Sequence, residues 1–74
     1  MARLIRMDTT GHSTLAEWTA GDMEAEALAV AEFRRQLDAG YYAVVSEGEG
    51  RARQVAQLPM DADLVILRRP IAGG

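Results

Sequence analysis

Leu64-Val65-Ile66-Leu67-Arg68-Arg69-Pro70 decides the fold. Leu64 to Leu67 is the most apolar run in the sequence, and residues 64–69 read as the last strand. Asp61-Ala62-Asp63 before it supplies turn chemistry, and Pro70 after it cannot donate to a ladder. The strand then gives way to Ile71-Ala72-Gly73-Gly74. Two glycines pack nothing and cost backbone entropy, so they add nothing to a core. They suit a terminus that must enter a narrow channel and present its carboxylate to another protein.

Working back from this strand, residues 51–58 are weakly patterned: Ala52, Val55 and Leu58 fit either a short strand or a helical turn, closed by Pro59. Residues 41–46, with Tyr41, Tyr42, Val44 and Val45, read as a strand. Residues 23–39 are the clearest helix. Met23, Ala27, Val30, Phe33 and Leu37 recur at spacings of three and four and predict an apolar stripe. Asp22 can cap its start, and Thr19 with Asp22 fits the pattern of a capping box; Gly40 can end it. Residues 3–7 and 13–19 read as two strands of a hairpin joined by a Gly-containing loop. In the second, Thr14, Ala16 and Trp18 are expected on one face, with Leu15 and Glu17 on the other.

Size and composition bound the rest. At 74 residues the chain forms one small domain. The order is strand, strand, helix, strand, weak strand, strand, with a heavy-residue core drawn from Leu4, Ile5, Leu15, Trp18, Val30, Phe33, Leu37, Tyr42, Val44, Leu58, Leu64 and Ile66. That order predicts an α+β fold, a mixed four- to five-stranded sheet packed on one helix. Central, parallel pairing of the first and last strands would make it a β-grasp. The domain is expected over residues 1–70, with residues 71–74 as a flexible tail.

With no cysteine, disulfides, thiolate metal sites and a cysteine nucleophile are excluded. A net charge of -3 argues against general nucleic-acid binding and is compatible with docking on a basic surface. No apolar run reaches membrane-spanning length. Residues 1–6 have no apolar stretch of signal-peptide length, and the expectation is a cytoplasmic protein. His12, the single histidine, has no carboxylate at a spacing that completes a triad with Thr10 or Ser13. The Asp and Glu residues do not reproduce a calcium loop, so no metal is expected. Glu47-Gly48-Glu49-Gly50 lacks the lysine of a phosphate loop, and its acids repel phosphate.

Residues 58–74, Leu58-Pro59-Met60-Asp61-Ala62-Asp63-Leu64-Val65-Ile66-Leu67-Arg68-Arg69-Pro70-Ile71-Ala72-Gly73-Gly74, carry a resemblance. An acidic turn, an apolar last strand and a short tail ending in Gly-Gly resemble the ubiquitin-like β-grasp proteins. More narrowly, the chain is similar to the small bacterial sulfur carriers of thiamin and molybdopterin synthesis. Ile71-Ala72-Gly73-Gly74 is closest to the thiamin type. The resemblance implies a protein that is not itself an enzyme and binds no cofactor. An adenylating enzyme uses ATP to activate the carboxylate of Gly74. The acyl-adenylate becomes a thiocarboxylate, and a synthase accepts the sulfur. Gly73, Ala72 and Ile71 are then the tail that enters the activating enzyme. At least one of Arg68 and Arg69 can pair with acids on a partner. A sheet face left open by the helix offers a docking patch from exposed members of Leu15, Trp18, Tyr41 and Tyr42. The free protein is expected to be a monomer. Two alternatives stay open: an interaction module whose tail carries no chemistry, and a modifier joined through its Gly-Gly end. With no lysine in the chain, lysine-linked chains of this protein cannot form.

Overall fold

The computed structural model describes residues 1–8, 10–48 and 50–70. The elements are β1 (Ala2–Asp8), β2 (Gly11–Trp18), α1 (Met23–Asp38), β3 (Tyr42–Gly48), β4 (Arg51–Val55) and β5 (Leu64–Arg68). The strands form one sheet in the order β2-β1-β5-β3-β4. β1 and β5 are parallel, pairing Leu4 with Val65 and Ile5 with Ile66. All other pairs are antiparallel. This is a small α+β domain, a five-stranded mixed sheet with one helix in a β-grasp-like arrangement. The weakly patterned segment resolves as an edge strand, β4, followed by a crossover over residues 56–63.

β5 is apolar on both faces because it lies between β1 and β3. Val65 and Leu67 are fully buried beneath α1 with Leu4, Phe33, Ala29 and Trp18. Leu64 and Ile66 point the other way by strand alternation. The crossover returns on the helix side, where Leu58 and Ala62 pack against the core. Its end is pinned by the Arg3 N–H, which donates to the Asp63 carbonyl at 2.9 Å.

Two expectations are corrected. The helix buries Ala29, Phe33 and Gln36, with Ala25 and Leu37 half-buried beside them. Met23 is 80% exposed, and Ala27 is exposed too. In a helix this rich in alanine, spacing alone leaves the phase loose. Phe33 fixes it, and the methyl groups of Ala29 and Ala43 let helix and sheet approach closely. In the hairpin, Leu4 pairs with Ala16 but Ile5 pairs with Thr14, so Leu15 is an extra residue in a β-bulge. Beyond the bulge the faces exchange. Leu15 therefore packs against the core with Ala16 and Trp18, while Thr14 lies opposite Ile5.

Both ends of α1 are capped. Asp22 is the N-cap, its Oδ1 accepting from the Ala25 N–H at 3.1 Å, and Glu26 Oε2 accepts from the Gly21 N–H at 3.1 Å. Thr19 contributes only its backbone carbonyl, accepting from the Asp22 N–H at 2.9 Å, so the expected Thr19–Asp22 capping box does not form and Asp22 caps the helix alone. At the other end the Gly40 N–H donates to Leu37 and the Tyr41 N–H to Gln36, a Schellman arrangement. Gly40 has φ +104 and open space where a Cβ would stand, so its cost to other residues is in the backbone alone. Gly40→Ala should lower stability by about 1–2 kcal/mol and Asp22→Ala by about 1 kcal/mol. Urea unfolding followed by the fluorescence of buried Trp18 measures both; an unchanged midpoint for Gly40→Ala would contradict this helix end.

Candidate functional site, the open face of the sheet

With α1 and the crossover on one side, the described residues leave the other face of the sheet uncovered. Register places one row straight across it: Thr14, Ile5, Ile66, Val44 and Gln54. The three central members are aliphatic. Ile5 is 7% exposed although it lies outside the core cluster. Val44 and Ile66 are half-buried. One adjacent row runs Glu17, Arg3, Leu64, and another pairs Tyr42 with Arg68. Four residues from the expected heavy core, Tyr42, Val44, Leu64 and Ile66, are thus half-buried on this face instead, while Ile5 is buried as expected.

A shallow hollow of about 440 Å³ sits here, its lining including Tyr42, Val44, Ile66, Ala52, Arg51 and Arg68. Arg3, Arg51 and Arg68 are all exposed, with Glu17 as the acid opposite Arg3. The opposite side of the molecule carries Asp22, Glu24, Glu26, Glu32 and Asp38 along α1, against Arg34 and Arg35. The negative net charge is therefore uneven: the apolar face has a basic rim. Such a surface fits a protein partner with an acidic margin around an apolar contact.

The residues expected to dock divide between the two faces. Tyr42 lies on the open face, and Arg68 stands beside it. Trp18 is 2% exposed in the core, and Leu15 packs against that core, so neither is on the open face. Arg69 is exposed just beyond β5. Ile71, Ala72, Gly73 and Gly74 lie outside the described residues. His12 is an exposed residue of β2 opposite Met7 rather than a turn residue. Among the described residues no three potential metal ligands cluster, and no helix is long and apolar enough to cross a membrane.

A further polar cluster lies on the helix side. Gln36 is buried and donates from Nε2 to Glu32 Oε2 at 2.7 Å. Arg35 pairs with Glu32 Oε1. The Arg6 guanidinium stands 5.5 Å from the centre of the Tyr41 ring. The Gln36 hydrogen bond first, then Arg35 and the charge of Arg6, hold the Glu32 carboxyl below its ordinary range against the opposing effect of burial. The readable signal was the Glu32–Gln36 spacing of four.

Comparison with protein-family models, curated proteins and solved structures yields no match.

Two outcomes follow. Trp18→Ala should cost about 3–5 kcal/mol, while Arg68→Ala should stay within about 0.5 kcal/mol; equal costs would contradict the assignment of faces. A depressed carboxyl stabilises the fold fully above its ordinary value of 4.5 and loses that contribution as pH falls through its lowered value. The stability difference between wild type and Glu32→Gln should therefore shrink as urea midpoints are followed into acid. A difference independent of pH would contradict it.

Proposed function

We propose that this protein is a ubiquitin-like sulfur carrier whose reactive group is the carboxylate of Gly74. The observation that supports this most is the position of β5. The strand leading to the diglycine tail is central in the sheet, and its outward residues Ile66 and Arg68 belong to the open face. A partner seated on that face lies beside the base of the tail. Arg68 can pair with the partner's acids as it docks. Pro70 restricts the backbone where the tail departs, which lowers the entropy lost on insertion. Gly73 and Gly74 have no side chains to obstruct a channel.

The chemistry belongs to the partners. A carboxylate oxygen of Gly74 attacks the α-phosphorus of ATP bound by an adenylating enzyme, and pyrophosphate leaves. Sulfide then attacks the acyl carbon, and AMP leaves as the thiocarboxylate forms. The thiocarboxylate passes its sulfur to a synthase. On this reading the described residues contribute docking and presentation, and the protein is cytoplasmic and not itself an enzyme. The open face also favours a second reading, an interaction module in which the tail is inert.

Protein-dependent exchange of pyrophosphate into ATP, measured in extract from the source cells, separates the two. The carrier should support exchange. One residue added after Gly74 should abolish it, and Ile66→Asp should weaken it about tenfold or more. An interaction module supports no exchange and keeps its partner when the tail is extended.

A further inference from the structure

The solvent side of α1 carries a second pattern that neither the fold nor the open face uses. Glu24, Leu28, Ala31 and Arg35 recur at spacings of four, three and four, the seam of a coiled coil. All four are exposed, Leu28 by 67%. Ala27 beside them is exposed as well. The seam is acidic at its N-terminal end, apolar in the middle and basic at its C-terminal end. It is self-complementary under a two-fold axis. In an antiparallel pair, Leu28 of one copy packs on Ala31 of the other, and Glu24 faces Arg35, each contact occurring twice.

We propose that α1 pairs antiparallel with the α1 of a second copy through this seam. The small side chains of Ala27 and Ala31 allow close approach, and Leu28 supplies the apolar anchor. Parallel pairing would put Glu24 against Glu24 and Arg35 against Arg35, so the charges select the antiparallel register. One helix of 16 residues against its copy buries less than the roughly 1,200 Å² of a standard stable interface. The dimer is therefore weak, and the monomer prevails on dilution. Because α1 and the open face lie on opposite sides of the sheet, a dimer presents two open faces outward and leaves both available. Arg35 also pairs with Glu32 within its own helix; the exposed guanidinium retains donors for a second acid.

Sedimentation equilibrium up to about 1 mM, the concentration scale of weak association, tests this with charge exchange. Wild type should rise in mass above 8.0 kDa toward the dimer. Glu24→Arg and Arg35→Glu should each weaken association about tenfold, because two attractive surface pairs become repulsive. The double variant should return to near the wild-type constant. Mixing the two single variants should also restore association, since each then meets its opposite charge at both ends. Thermal unfolding by circular dichroism verifies that each variant is folded. A wild type that stays monomeric throughout, or a failure of both the double variant and the mixture to associate, overturns the proposal.

Discussion

The parallel pairing of β1 with β5 is the constraint on which the rest depends. It joins the two ends of the described fold at the middle of the sheet, so neither hairpin can form the core alone. Parallel neighbours cannot be linked by a tight turn, and the chain must run through α1, β3, β4 and the crossover between them. The hydrogen bond from Arg3 to Asp63 sets where β5 starts, and Leu4 and Val65 then lie side by side under Phe33. The side chains that follow this register on the other face, Ile5 and Ile66, form the centre of the open row.

One strand thus has two duties. Val65 and Leu67 secure the core, while Ile66 and Arg68 face outward beside Tyr42 and Val44. Placing the tail on the central strand gives its base a rigid support on both sides. An edge strand would be held on one side only. Under the proposed function, the basic residues around the row would face a partner's acids, and the same strand that positions them carries the base of the tail.

Much of the architecture was legible because strong local signals agreed: four aliphatic residues in β5, Asp22 and Gly40 at the ends of α1, and the order of elements. What was not legible depended on distant partners. The expected stripe of α1 holds at Val30, Phe33 and Leu37 but not at Met23 and Ala27, because alanine fits either side of a helix and contact with the sheet decides which methyl groups are buried. The bulge at Leu15 leaves no mark in the hairpin sequence, yet it transfers Leu15 to the core and Thr14 to the open face. Aliphatic residues also do not announce which face of a sheet they occupy, so Val44 and Ile66, expected in the core, are half-buried on the open face, where register sets them in one row with Ile5. Of the expected docking residues, only those on β3 and at the end of β5 reached that face.

The most direct test of the account is the intact mass of the protein isolated from its own cells with an untagged C-terminus. The account predicts a species heavier by the replacement of one oxygen by sulfur, with fragment masses placing the change at Gly74. A single unmodified mass, persisting after incubation with ATP and the host's activating enzymes, would contradict it.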